Sequence, residues 1–308
     1  MGGKDIVILG VFVADTAYRA SRQPKMGETL MGSGFALGPG GKGSNQAVAA
    51  ARAGGDVTFI TRLGTDAFGD LAMQTWAEAG VRTSVIRDPG SYTGAAYVFV
   101  EEGTGNNAII VAPGAAANIS RADIEANRER IASAAVFVTQ LEQPLEAAVA
   151  ALAIARQGGA ITILNPAPAI RLDAAVIALC DYLTPNETEA EILTGLPVTN
   201  ADEARKAADA LLAMGARTVL VTLGARGALY HSRDQSIVVP ALHAGPVVET
   251  TGAGDAFNGG FAAALARGLP PIDAVRFGSA VAGISVTRPG TAPAMPSLGE
   301  VEALLARG

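Results

Sequence analysis

Two kinds of apolar pattern alternate along this chain: short continuous β-rich runs, and longer stretches with helical periodicity. The short runs predict strands at Ile6 to Val11, Val57 to Arg62, Val136 to Thr139, Ile161 to Leu164, Tyr182 to Thr184 and Val219 to Leu223. Helical stretches such as Ser44 to Ala53, Phe68 to Ala79, Pro144 to Gln157 and Asp202 to Met214 lie between them. Gly54, Gly80, Gly158 and Gly215 follow where a left-handed C-cap belongs. Continuous apolar strands separated by helices imply βαβ units, hence an α/β fold with a mostly parallel central sheet and helices on both faces. Ligands of such sheets bind beyond the carboxyl ends of the strands. Two segments, about 12–37 and 92–112, break the rhythm. In the second, Ala95 to Glu101 and Asn107 to Val111 form an expected hairpin around Gly103-Thr104-Gly105-Asn106. Both segments are read as one small β-sheet outside the main body, acting either as a lid or as an insertion without function.

Composition narrows the class. The 308 residues are 49% apolar and 17% charged, which excludes a disordered chain and suits a sheet buried on both faces. The net charge is −6, from 29 acidic against 23 basic residues, with no basic run, so neither nucleic acid nor anionic membrane is an expected partner. The lone Cys180 permits no intrachain disulfide and is expected in the core. His231 and His243 have no metal-ligand spacing and are expected in loops or at the surface. The opening run Ile6 to Leu9 lacks the features of a signal peptide, and no apolar stretch is long enough to span a bilayer, so a soluble cytoplasmic protein is expected.

Two glycine-rich segments carry candidate chemistry. Thr250-Thr251-Gly252-Ala253-Gly254-Asp255-Ala256-Phe257 opens an apolar helix with two glycines and one carboxylate at its mouth. Unpaired N–H groups and partial positive charge at a helix start suit a polyphosphate. A carboxylate there repels phosphate, which suggests that Asp255 takes the proton from an attacking hydroxyl; an ordinary helix cap is the competing reading. The second segment is Gly38-Pro39-Gly40-Gly41-Lys42-Gly43-Ser44-Asn45-Gln46-Ala47. It fails as a P-loop because Gly43 follows Lys42 where Ser or Thr is needed. As a dinucleotide fingerprint it fits through Gly38, Gly40 and Gly43, but it does not directly follow the first strand. The third reading is a polyol-binding turn, with backbone N–H groups and the Asn45 amide reaching sugar oxygens.

Gly40 to Ala47 and Thr251 to Phe257 resemble the two signatures of the ribokinase family, the PfkB carbohydrate kinases. The resemblance extends over nearly the whole chain. It includes Gln140-Leu141-Glu142, Leu164 to Ala169, Thr184-Pro185-Asn186-Glu187-Thr188-Glu189, Thr222-Leu223-Gly224-Ala225-Arg226-Gly227 and the tail Thr287 to Pro296. It implies a ribokinase-like fold with a β-sheet lid and an ATP-dependent kinase acting on the primary 5-hydroxyl of D-ribose. The matching positions imply that Asp15, Gly41, Lys42, Asn45 and Glu142 line the sugar pocket and that Asp255 is the base. Gly252, Ala253 and Gly254 would form the anion hole. Asn186 and Glu189 would face ATP and Mg²⁺, with Thr222, Gly224, Arg226, Gly227 and Ser279 on the nucleotide.

The same resemblance implies a K⁺ site of Glu249, Thr251, Ser285, Arg288 and Gly290, mainly through backbone carbonyls. Ala294 replaces a usual serine there, which should weaken the site. The family pairs as homodimers through the lid, a contact to which Phe12 and Phe35 could contribute. One departure bears on substrate: Val13 stands where a sugar-binding Asn is usual, and valine cannot form that hydrogen bond. A deoxyribokinase or another PfkB sugar or nucleoside kinase is therefore the alternative. Two remoter alternatives are a nicotinamide dehydrogenase using Gly38 to Gly43, and a sugar sensor without catalysis.

Overall fold

A computed structural model describes residues 5–307. Its strands are β1 Asp5–Leu9, β2 Val13–Ala20, β3 Gly34–Gly40, β4 Asp56–Gly64, β5 Arg82–Asp88, β6 Thr93–Glu101 and β7 Asn107–Gly114, followed by β8 Val136–Thr139, β9 Ile161–Leu164, β10 Tyr182–Leu183, β11 Thr218–Thr222, β12 Ala228–Ser232 and β13 Ser236–Val239. The helices are α1 Lys42–Arg52, α2 Ala67–Ala79, α3 Arg121–Ala126, α4 Arg128–Ala132, α5 Leu145–Gly158, α6 Ala174–Ile177, α7 Glu187–Thr194, α8 Ala201–Ala213, α9 Ala253–Ala266, α10 Pro271–Ser285 and α11 Leu298–Leu305.

Nine strands form the main sheet in the order β13-β12-β11-β10-β9-β8-β1-β4-β5. Pairing is parallel from β11 through to β5, and antiparallel only at β11–β12 and β12–β13. The pleat sends alternate residues of β1 to opposite faces. Ile6 and Ile8 join an apolar core with Val48, Trp76, Phe261 and Val281, from α1, α2, α9 and α10. Val7 and Leu9 join a second core with Ile124, Leu152, Ala190 and Leu211, from α3, α5, α7 and α8. The expected three-layer α/β body is therefore present. β1 is its switch point, because the chain goes to β4 on one side of it and returns to β8 on the other.

The second sheet has the order β3-β2-β6-β7, with β2–β6 parallel and its other pairs antiparallel. It uses both segments that broke the rhythm, and β6 and β7 form the expected hairpin. Asp66 anchors it to the body: one carboxylate oxygen accepts from Gly69 N at 2.9 Å, capping α2, and the other from Thr93 N at 2.7 Å. Thr291 Oγ1 donates to Pro39 O at 2.7 Å, tying β3 to the C-terminal region.

Several local expectations change. The glycine cluster is not one turn: Gly34 to Gly40 runs as β3, with Asp15 opposite Gly38, and α1 starts at Lys42, two residues before the expected Ser44. Gly158 is the last residue of α5, and Gly159 (φ 86°) is the left-handed cap, since a helix ends where its last carbonyls find partners. Phe12 is fully buried edge-on to Trp76, with ring centroids 5.7 Å apart, so it belongs to the body core; Phe35 is 61% exposed on the second sheet. His231 is not at the surface. It is buried on β12, where Nε2 lies 2.8 Å from Asp209 Oδ1 and Nδ1 lies 2.9 Å from Ser236 Oγ. Two polar partners make that burial tolerable. Cys180 is buried as expected, which pushes its thiol up to about 12.

Candidate active site

The residues singled out along the sequence converge beyond the carboxyl ends of β1 and β8 to β11, beside the second sheet. Close backbone approach makes this possible. A Cβ at Gly41 (φ 88°) would lie 2.4 Å from Val11 O, and one at Gly43 would lie 2.6 Å from Gly10 Cα. Only glycines let α1 start directly against the end of β1. The helix then delivers Lys42, Asn45 and Gln46 on one side of the cleft.

Asp255 enters from the first turn of α9, whose N-cap is Gly252 (φ 78°). The ordinary cap reading fails: no side-chain cap bond is present, and the carboxylate points into the site. Its Oδ2 accepts from Asn45 Nδ2 at 3.1 Å and its Oδ1 from Gln46 Nε2 at 3.0 Å. Burial raises the Asp255 pKa, against the pull of Lys42 and these two amides. Among the described residues the amides of Gly252, Gly254 and Asp255 have no protein acceptor, whereas that of Ala253 donates to Thr250 O at 3.1 Å. The open donors of the helix start are thus Gly252, Gly254 and Asp255 rather than the expected Gly252 to Gly254 run.

Glu142 lies just past β8, and its Oε2 accepts from Lys42 N at 2.8 Å. Burial pushes its carboxyl up to about 7, and burial likewise pushes Asp15, on β2, up to about 6. Burial opposes the charge on Lys42, but the fields of Asp255, Glu142 and Glu189 outweigh it and raise its pKa. Three segments thus bring carboxylates around one ammonium. Val13 lies two residues before Asp15 on the same face of β2, buried in the apolar cluster that holds Val11 and Leu141.

Towards β10 and β11, Asn186 caps α7. Its Oδ1 accepts from Glu189 N, and Glu189 Oε2 accepts from Asn186 N, both at 2.8 Å. Burial raises the Glu189 pKa, and the fields of Lys42 and Asp255 reach it. Thr222 ends β11 and bridges to Asn186, so the two nucleotide-side candidates are neighbours. Gly224 to Arg226 form a short 3₁₀ turn ending at Gly227. The Arg226 guanidinium is already engaged: it pairs with Glu187 and donates to Thr199 O at 2.9 Å. Ser279 is buried on α10, whose neighbouring Gly278 packs against Phe257 O.

The candidate cation residues form a loop cluster beside the start of α9. Glu249 Oε2 accepts from Gly290 N at 2.8 Å, and Arg288 N donates to Ser285 O at 3.2 Å. Ser285 Oγ turns back to Ala282 O at 2.9 Å, and Ala294 is buried in a 3₁₀ turn. No acceptor role is filled for the carbonyls of Thr251, Arg288 and Gly290 among the described residues, which is a donor set suited to a monovalent cation. No group of three or more His, Cys, Asp or Glu side chains at metal-binding distance occurs among the described residues.

Sequence reasoning missed a buried polar layer beneath the carboxylates. Gln46, Gln140, Asn165, Thr184 and Asn258 are all under 8% exposed. For Gln140, Asn165 and Thr184 a signal was present, as polar residues directly following the apolar runs of β8, β9 and β10, where burial requires a partner; Gln46 on α1 and Asn258 on α9 gave no such signal.

A model of the pfkB family carbohydrate kinases matches residues 4–298. The chain belongs to this family. A ribokinase of Haemophilus influenzae is 39% identical, with 96% of each chain covered, and a deoxyribokinase of Salmonella typhi is 38% identical, with 96% of each covered. Among solved structures, the ribokinase of Arabidopsis thaliana complexed with ribose and ATP superposes with a TM-score of 0.90 at 30% identity, covering 99% of each chain. The ribokinase of Thermotoga maritima gives 0.87 at 34% identity, covering 98% of this chain and 99% of that one. This carbohydrate-kinase membership removes the nicotinamide dehydrogenase reading, and the fold supplies a reason. The glycine cluster leaves a strand of the second sheet, not the buried parallel strand that a dinucleotide fingerprint must follow. No helix among the described residues is long and apolar enough to cross a membrane.

Proposed function

We propose that this kinase transfers the γ-phosphoryl group of ATP to the primary 5-hydroxyl of D-ribose, giving D-ribose 5-phosphate and ADP. The observation that carries the reading is Asp255, a buried carboxylate held by two side-chain amides at the open N-terminus of α9. In this reading Asp15, Glu142, Lys42, Asn45 and the turn at Gly41 hold the sugar, whose hydroxyls donate to the carboxylates. Asp255 accepts the proton of the attacking hydroxyl as the O–P bond forms. The amides of Gly252, Gly254 and Asp255 receive the charge that develops on the phosphoryl oxygens as ADP departs. Positioning and charge stabilisation do most of the work, so the chain needs no covalent intermediate.

Asn186 and Glu189 would lie towards the nucleotide and its Mg²⁺. One Glu189 oxygen is committed to the cap of α7, which leaves the other for a metal-bound water. Thr222, Gly224 and Gly227 would line the nucleotide. Arg226 would shape that loop through its tie to Glu187, and Ser279 would complete the wall. K⁺ would bind at the carbonyls of Thr251, Arg288 and Gly290 with Glu249 nearby, with Ser285 shaping the loop. Rates higher in K⁺ than in Na⁺ are expected, and equal rates would remove this site. We also assign the second sheet as a lid that pairs two protomers. Support comes from exposed Tyr18, Phe35, Leu37, Ile109, Ile110 and Val111 on it. Sedimentation of a Phe35→Asp, Ile110→Asp variant as a monomer, against a dimeric parent, is the expected result. A cytoplasmic location fits this chemistry, since ATP is the donor.

Val13 favours one second reading, phosphorylation of 2-deoxy-D-ribose, because an apolar side chain stands where the family usually places a sugar-binding amide. A coupled ADP-release assay with ATP, Mg²⁺ and K⁺ compares the two sugars by kcat/KM. In the same assay Asp255→Asn is expected to lower kcat at least about a hundredfold while ATP binding is retained. Undiminished turnover by the folded variant would refute the base assignment. ATP turnover that depends on added sugar would also remove the sensor reading.

A further inference from the structure

The mechanism above uses Asp255 but does not account for the amides beneath it. Gln46 Nε2 donates to Asp255 Oδ1 at 3.0 Å and to Asn165 Oδ1 at 3.1 Å, and Gln46 Oε1 accepts from Gln140 Nε2 at 2.7 Å. Asn165 Nδ2 in turn donates to Thr184 O at 3.0 Å. All three amides are buried, Gln46 and Gln140 completely.

The direction of this chain is fixed from both ends. A carboxylate only accepts, so Gln46 must present its NH₂ group to Asp255, which turns its oxygen towards Gln140 and requires Gln140 to donate. At the other end, the Thr184 carbonyl also only accepts. Asn165 must therefore present its NH₂ there and its oxygen to Gln46, which again requires Gln46 to donate. Neither glutamine can flip without setting two acceptors face to face in a buried site.

Gln140 is itself clamped. Gln143 Nε2 donates to its backbone carbonyl at 2.6 Å. Its Oε1 has no hydrogen-bond partner and lies where a Cβ at Gly10 would be 2.4 Å away and one at Gly43 2.8 Å away. An orphaned amide oxygen is costly, and the gain that offsets it is the donor aimed at Gln46.

We infer that Gln140 and Gln46 are positioning residues forming a one-way amide relay, which holds Asp255 as a proton acceptor aimed at the substrate hydroxyl. Neither side chain needs to touch the sugar or ATP. The relay rests on Asp255 being the base. Charges that bear on Asp255 come from Lys42 on α1, Glu142 past β8 and Glu189 on α7, and the relay leaves all three in place.

The test uses the full-length kinase with ATP and the preferred sugar, comparing Gln140→Glu, Gln46→Met and Asp255→Asn with the parent across pH. The carboxylate of Gln140→Glu cannot donate and sets an acceptor against Gln46 Oε1, which pushes the Gln46 amide off its aim at Asp255. The substitution lies one residue away from any contact with the base. Its kcat near neutrality is expected to fall about tenfold or more, and the acid limb of its kcat–pH profile to move to higher pH, with KM for ATP unchanged. Gln46→Met, which deletes the donor, should move the limb in the same direction.

A purely structural role would lower the melting temperature without moving that limb. Folded variants of both glutamines with the parent's kcat and pH profile would overturn the relay. Full activity in Asp255→Asn would instead overturn the base assignment beneath it, so the two failures are told apart. If Gln140→Glu does not fold, Gln46→Met decides alone by the same two readouts.

Discussion

Replacing Glu142 by Gln should make the free protein more stable and a worse enzyme, and the size of the first effect follows from the site. Burial raises the Glu142 carboxyl from 4.5 to about 7 in the folded chain. An acid whose folded pKa is raised holds its proton in the folded state after the unfolded chain has released it. Stability therefore falls as pH rises between those two values and levels off above them. The shift of about 2.5 units corresponds to about 3 kcal/mol of lost stability at about pH 8 and under about 1 kcal/mol at about pH 5. Glutamine matches the protonated acid in shape, and its oxygen can still accept from Lys42 N. Glu142→Gln should therefore lie within about 1 kcal/mol of the parent near pH 5 and exceed it by about 3 kcal/mol near pH 8 in denaturant unfolding without ligand. Sugar affinity should fall in the same variant, because one ionised acceptor for its hydroxyls is gone. A parent and variant whose stabilities run parallel from pH 5 to pH 8 would refute the reasoning, since the buried charge would then cost nothing.

Gly43→Ala should lose about 2 kcal/mol or more of stability and most of its turnover, because its Cβ would lie 2.6 Å from Gly10 Cα and 2.8 Å from Gln140 Oε1. Thermal unfolding and kcat check this, and an unchanged variant would mean that α1 can shift freely from β1. Val13→Asn should raise kcat/KM for ribose relative to 2-deoxyribose by about tenfold, through one added hydrogen bond to a buried hydroxyl. An unchanged ratio of the two specificity constants would show that this position does not read the sugar.

Much of this protein is legible in its sequence, for physical reasons. Strands buried on both faces must be apolar throughout, so the runs of β1, β4, β8, β9 and β11 announce a parallel sheet without any coordinates. The strands β5 and β13 escaped notice because they are the two edges of the sheet, where exposed and half-buried positions dilute the pattern, and β12 because the polar His231 and Ser232 cut short its apolar run although most of it is buried. The two glycine-rich segments were equally plain, since backbone that must approach a helix start or a phosphate tolerates little else. What they could not reveal was geometry. Asp255 reads as a cap or as a base along the sequence, and only the bonds to its two amide partners, 210 and 209 residues away, remove the cap reading.

The same limit applies to the other polar groups. His231 looked like a surface residue because its partners Asp209 and Ser236 sit on different elements. How Gln140, Gln46 and Asn165 pair could not be read from the sequence, because hydrogen bonds between strand ends and α1 depend on sheet order, which periodicity does not encode. Local sequence thus determined which segments are strands, helices and close-approach turns, through steric and burial rules that act within a few residues. Tertiary structure alone decided which carboxylates share one lysine and which way the buried amides face, because burial and charge are properties of neighbours that the chain supplies from distant positions.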